Sequence, residues 1–145
     1  MAQLPEGTRL RAFAATELFL DLVYTARKLV DFDLESVLIY YCASEATMRP
    51  MVLGEPAQKA HVALVHPPSE ARGWISRRGL ADRTGLARET VRRKAQALIE
   101  RGLLEEDAKG HVRATPMLHT EQERAMLQEV EEIVRRHQSR LAGGE

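Results

Sequence analysis

The sequence holds a single cysteine, Cys42, so no internal disulfide framework supports the fold and a reducing compartment is expected. Aromatic residues make up only 5 % of the chain, which leaves Leu, Val, Ile and Ala to build its core. No apolar run approaches the roughly 20 residues of a membrane span, and the stretch Leu18–Tyr24 is broken by Asp21. The first residues lack the basic, apolar and small-residue order of a secretion signal, so a cytoplasmic location is expected. Glycine-rich phosphate loops, nucleophile elbows and paired-carboxylate sites are absent, which argues against an enzyme and against a cofactor. The five histidines, His61, His66, His111, His119 and His137, show neither zinc-finger spacing nor a facing i,i+4 pair. No metal site is expected.

What is present suits a folded chain. At 145 residues it is about one domain's worth, able to bury roughly two-thirds of its unfolded surface without a metal or disulfide staple. Its 44 % apolar and 29 % charged content excludes wholesale disorder. The net charge is zero, but that balance conceals an asymmetry. Residues 72–101 carry nine basic and three acidic side chains, whereas 1–71 and 102–145 each carry six basic and nine acidic. A local polyanion-binding surface on an otherwise neutral chain is the implication.

Hydrophobic periodicity predicts helices at both ends. From Arg9 to Val30, the residues Ala15, Leu18, Phe19, Leu22, Val23, Ala26, Leu29 and Val30 fall at helical spacing. Asp31 and Asp33 then offer N-caps for a second helix bearing Leu34, Val37, Leu38, Tyr41 and Cys42 on one stripe. This helix is predicted to end near Thr47, because Pro50 disfavours a helical residue before it. A long connection follows from Met48 to Arg72, with one helical segment at Ala57–Val65. At the other end, Thr120 and Glu123 have capping-box spacing ahead of a stripe of Leu127, Val130, Val134, His137 and Leu141, widened by Met126 and Ile133.

The middle of the chain is the most informative. Gly73–Arg78 reads as a short strand, and Ser76 as the N-cap of a helix ending at Gly85, whose freedom at positive φ suits a tight turn. A second helix runs from about Arg88 to Arg101 and stops at Gly102. Leu103–Glu106 and His111–Ala114 then read as two strands around the turn Asp107-Ala108-Lys109-Gly110.

The run Ile75-Ser76-Arg77-Arg78-Gly79-Leu80-Ala81-Asp82-Arg83-Thr84-Gly85-Leu86-Ala87-Arg88-Glu89-Thr90-Val91-Arg92-Arg93, continuing to Leu98 and Gly102-Leu103-Leu104, resembles the DNA-binding domains of MarR-type and GntR-type bacterial transcription regulators. The resemblance covers residues 73–118, and the proline-rich Met48–Pro68 connection is longer than those families usually show. It implies a mainly α fold with a small β-wing: a winged helix-turn-helix flanked by N- and C-terminal helices. Three segments follow from it: a supporting, dimerising region at 1–72, the DNA-binding domain at 73–118 and a dimerising helix at 119–145. The implied function is regulation of transcription by sequence-specific binding of duplex DNA as a homodimer. The rival readings are a winged-helix initiator of replication or plasmid maintenance, and a winged helix serving protein–protein interaction.

Winding residues 88–99 at 100° per residue puts Val91, Ala95 and Leu98 inward, with Leu86 joining them, and spreads Glu89, Arg92, Arg93 and Gln96 over the outer side. Arginine can pair bidentately with guanine, glutamine with adenine, and glutamate can accept from cytosine. Arg88 can reach a base or a phosphate, Thr90 can donate to a phosphate, and Arg77 and Arg78 suit phosphates. The plainer alternative is a solvated face with a Glu89–Arg93 pair at i,i+4. Lys109, His111 and Arg113 are the wing candidates for minor-groove contact, opposed by Glu105, Glu106 and Asp107. With about five phosphate contacts per subunit, a dimer would show a log–log salt slope near −9.

Some MarR-type regulators use an N-terminal cysteine as a redox sensor. Cys42, however, sits on an apolar stripe without a neighbouring base, so a buried structural thiol is expected. The terminal helices of MarR-type proteins build the dimer, and the heptad-like stripe Leu127, Val130, Val134, His137 and Leu141 is the expected interface. Nothing in the sequence supports a small-molecule effector.

Overall fold

The computed structural model describes residues 1–30, 33–116 and 120–143, the side chains of Leu29 and Val30 excepted. Among these the chain is mainly helical. In order come α1 (Thr8–Val30), α2 (Leu34–Leu53), the one-turn α3 (Pro56–Lys59), α4 (Arg77–Thr84), α5 (Arg88–Glu100), β1 (Leu104–Glu106), β2 (Val112–Ala114) and α6 (Glu121–Leu141). A 3-10 turn at Ser69–Ala71 precedes α4. No helix among the described residues is long and apolar enough to cross a membrane. The chain forms two compact units, one from residues 1–30 with 120–143 and the other from 33–116. The second helix therefore belongs with the central segment, and no unit boundary falls at 72/73.

In the first unit α1 and α6 pair antiparallel. Asp21 meets Arg136 at 3.0 Å, Glu17 meets Arg140 through two bonds of 3.2 Å, and Thr25 and Lys28 both reach Glu129 at 3.3 Å. Arg140 holds the Glu17 carboxyl below its ordinary range, chiefly through their hydrogen bonds. Thr120 caps α6 by the expected reciprocal bonds with Glu123, at 3.0 and 3.1 Å.

The expected apolar stripes are the packed faces only in part. On α1 the buried residues are Ala14, Thr25 and Ala26, while Ala15 and Phe19 are exposed and Leu18, Leu22 and Val23 are half-buried. On α6 the buried residue is Ile133; Leu127, Val134 and Leu141 remain 38, 41 and 45 % exposed, and Val130 is half-buried. The ion pairs lie along the packed sides, and Leu127 and Val134 lie about 100–120° around α6 from Ile133. His137 faces α1, its Nδ1 lying 3.2 Å from the Ala14 carbonyl.

The second unit is built around α2, which packs against α4, α5 and β2. Asp33 caps it by accepting from the Ser36 amide at 2.9 Å; Asp31, the other candidate cap, lies outside the described residues. Contrary to the predicted end near Thr47, α2 continues through Pro50 to Leu53. Proline cannot donate to the carbonyl four residues back, and Gly73 crosses at that break. Its amide donates to the Thr47 carbonyl at 3.0 Å, and a Cβ on it would lie 2.2 Å from the Ala46 oxygen.

The buried face of α2 is Val37, Tyr40, Ala43, Thr47 and Met51, with Ile39 also enclosed. Of the expected stripe only Val37 is buried; Leu34 is exposed, and Leu38, Tyr41 and Cys42 are half-buried. Burial pushes the Cys42 thiol upward, away from thiolate character. The connection differs too, with helix at 56–59 rather than 57–65 and turns beyond it.

Ser76 caps α4 by accepting from the Gly79 amide at 2.9 Å, and Gly85 ends it at φ 74°. The α5 residues Val91, Ala95 and Leu98 are fully buried, as are Leu80 of α4 and Val112 of β2; Leu86 is half-buried. The strands pair antiparallel, Leu104 with Ala114 and Glu106 with Val112. The segment expected as a strand at 73–78 contributes one bridge, with Ile75 and Val112 exchanging bonds of 2.8 and 2.9 Å.

Candidate nucleic-acid interface

The candidate interface begins at the turn between α4 and α5. Gly85 takes the left-handed conformation there, and burial of Val91, Ala95 and Leu98 fixes which side of α5 faces out. Arg88, Glu89, Arg92 and Arg93 are exposed on that outer side, while Thr90 and Gln96 are half-buried at its margins. Arg78, on the first turn of α4, is also exposed. Among the described residues Arg78, Arg88 and Arg93 make neither hydrogen bond nor ion pair. No carboxylate is bonded to any of them, although the charge of Arg93 is felt by Glu89.

The remaining positive charge is largely neutralised within the fold. Arg72, Arg77, Arg83, Arg92 and Lys94 are all in ion pairs. Lys94 reaches Asp33 at 2.5 Å and Glu35 at 3.6 Å, tying α5 to the start of α2. Glu89 pairs with Arg92 at i,i+3, not with Arg93 at i,i+4. Arg77, expected to meet phosphate, instead donates to the Gly110 carbonyl and to Glu106 at 3.0 Å, bracing the hairpin against α4.

The largest correction concerns Arg113. It is 5 % exposed, so it is not a surface contact. Its Nε donates to Glu105 at 2.5 Å, and its Nη atoms donate to the Ser69 carbonyl and hydroxyl at 3.0 and 2.9 Å. The guanidinium also stacks 4.0 Å from the Trp74 ring centroid. Arg72 shares Glu105 at 3.3 Å. Alternation along β2 puts Arg113 opposite Val112 and Ala114, and residues 69–74 cover that second face.

The anchoring roles of Ser69, Arg72, Trp74 and Glu105 escaped the sequence reading. The usable signal was Glu105 directly opposite Arg113 in the predicted hairpin. At the tip, Lys109 is exposed, whereas His111 is half-buried with its Nδ1 3.0 Å from Asp107. Asp107 also accepts from the Lys109 and His111 amides, both at 2.9 Å, closing the turn.

The five residues expected at a dimer interface all lie on α6, and the structure separates them. Leu127, Val134 and Leu141 form an outward stripe, Val130 sits at its edge, and His137 turns toward α1. Two cavities on the helical pair measure about 130 and 220 Å³. Both are smaller than the roughly 300 Å³ at which small-molecule pockets begin. No family model, curated protein or solved structure matches the chain.

Proposed function

We propose that this chain is a sequence-specific duplex DNA-binding regulator of transcription that acts as a homodimer through a winged helix-turn-helix. In this reading α4 and α5 are the helix-turn-helix, α5 enters the major groove and the β1–β2 hairpin is the wing. The observation that carries it is the pair of exposed cations, Arg88 and Arg93, on the outer face of a helix whose opposite face is wholly buried. Arg78 supplies a third exposed cation from the preceding helix, and Lys109 a fourth from the hairpin tip. Groove-reading helices place side chains of their first turns against base edges, while flanking cations hold phosphates. The outward stripe of Leu127, Val134 and Leu141 supports the dimer.

With Arg77 and Arg113 withdrawn into the fold, about three phosphate contacts per subunit remain. A dimer should then show a log–log salt slope of about −5 rather than −9. Titration of a fluorescent duplex between 50 and 300 mM salt measures it; affinity that ignores salt would sink the proposal. Selection of bound sites from random duplex DNA adds a second readout: a lone palindrome fits a regulator, whereas iterated direct repeats would favour the initiator.

A further inference from the structure

The outer face of α5 holds one feature that the regulator reading leaves unused. Arg92 and Glu89 form a side-on, two-point pair, with Nε donating to one carboxylate oxygen at 2.9 Å and Nη2 to the other at 2.5 Å. Both side chains are exposed, and among the described residues neither bonds or ion-pairs with another element.

A guanidinium carries five N–H donors in a rigid fork. Glu89 occupies the Nε edge and one Nη2 donor. The end-on edge, made of Nη1 and the second Nη2 hydrogen, is left open. That end-on edge matches the O6 and N7 acceptors of guanine in the major groove.

We propose that Glu89 is a positioning residue that holds Arg92 with this free edge toward a guanine, and so sets part of the sequence preference of α5. The inference rests on the DNA-binding reading. Two consequences give it content. An arginine held in one orientation before binding has less side-chain freedom to lose when it meets the base. The pair is also neutral as a unit, so it adds little attraction for phosphate, and Arg92 acts on base choice rather than on general affinity. A hydrogen-bonded Arg92 keeps the Glu89 carboxyl below its ordinary range, so the pair stays ionised at neutral pH.

Replacing Glu89 should therefore have opposite effects on the two kinds of binding. Glu89→Gln frees a cation on the outer face, so affinity for random duplex should rise and the salt slope should steepen by about one per subunit. Preference for the guanine should fall in the same variant. Loss of a merely structural residue would lower both affinities together.

The test uses the best duplex selected by the wild-type chain, with each guanine replaced in turn by 7-deazaguanine, which pairs normally but lacks N7. Wild type should contain a guanine per half-site whose replacement costs about tenfold in affinity. In Arg92→Ala that cost should drop below twofold, and in Glu89→Gln to about threefold or less. Thermal melts by circular dichroism should fall by only a few degrees for either variant, because both positions are solvent-exposed and only an i,i+3 pair and, for Glu89, a first-turn charge are lost.

An unchanged guanine dependence in Arg92→Ala would overturn the assignment of Arg92. Dependence lost in Arg92→Ala but retained in Glu89→Gln would overturn the positioning role. A Glu89→Gln variant that lost preference only at a cytosine would make Glu89 a direct reader instead, and would overturn it too. All three outcomes leave duplex binding itself intact. Failure of the wild type to bind any duplex would instead remove the regulator reading, and this inference with it.

Discussion

Arg93 stands free in solvent on α5, whereas Arg113 places the same guanidinium against Glu105, Ser69 and the Trp74 ring. Their substitution should therefore register in different measurements. Arg93→Ala should leave unfolding unchanged, cost about 1–3 kcal/mol on the best site and flatten base preference at one position. Competition binding on single-base variants of that site reads this, and an equal loss on random DNA would show Arg93 to be a phosphate contact. Arg113→Ala should lower stability by about 2 kcal/mol in urea titration, since it removes charge-assisted bonds to the half-buried Glu105 and to Ser69 and strips Trp74 of its cover. Stability within a few tenths of wild type would mean that the anchor is dispensable.

The tie between α2 and α5 belongs to the scale of elements. Asp33 caps α2 and accepts from Lys94 of α5, and these bonds, the Lys94 bond foremost, lower its pKa to about 2. A carboxyl lowered on folding stabilises the native state above its unfolded pKa, and loses that contribution as pH falls through the folded value. Its share should thus be complete above about pH 5 and gone near pH 1. If fully sheltered, a displacement of this size would be worth about 2.5 kcal/mol. The Asp33 side chain is 55 % exposed, so solvent screening reduces this to about 1 kcal/mol. Asp33→Asn should be less stable than wild type by that amount at pH 7, with the two converging below pH 3 in urea titrations. A gap that persists unchanged into acid would assign the loss to packing rather than to charge.

For the whole molecule, the division of α6 into a packed and an outward face lets folding be tested apart from the proposed dimer. Ile133 is buried, so Ile133→Ala should destabilise the helical pair by about 2–4 kcal/mol. Val134 is 41 % exposed, and a glutamate there should be tolerated by the monomer. In a twofold dimer it would introduce its charge twice at one interface. Val134→Glu should hence sediment as a folded monomer that keeps weak, salt-sensitive duplex binding. It should lose tight binding to paired half-sites about 34 Å apart. A wild type that sediments as a monomer at tens of micromolar, yet binds its site tightly, would sink the dimer proposal.

The caps were legible from the chain alone. Ser76, Thr120 with Glu123, and the left-handed Gly85 act through hydrogen bonds or torsions spanning a few residues, so local spacing determines them. The same holds for the inward triad Val91, Ala95 and Leu98, where an amphipathic pattern admits one buried side. Tertiary structure decided the rest. Which side of α1 or α6 is packed is set where the two helices meet, between residues more than 100 positions apart, such as Asp21 and Arg136. The continuation of α2 through Pro50 accompanies the crossing of Gly73 at the broken turn. Likewise, a basic residue in a strand looks like a surface contact until another segment covers it, as residues 69–74 cover Arg113. Local periodicity states that a helix has an apolar side or a strand two faces; only the long-range partner determines which of them meets water.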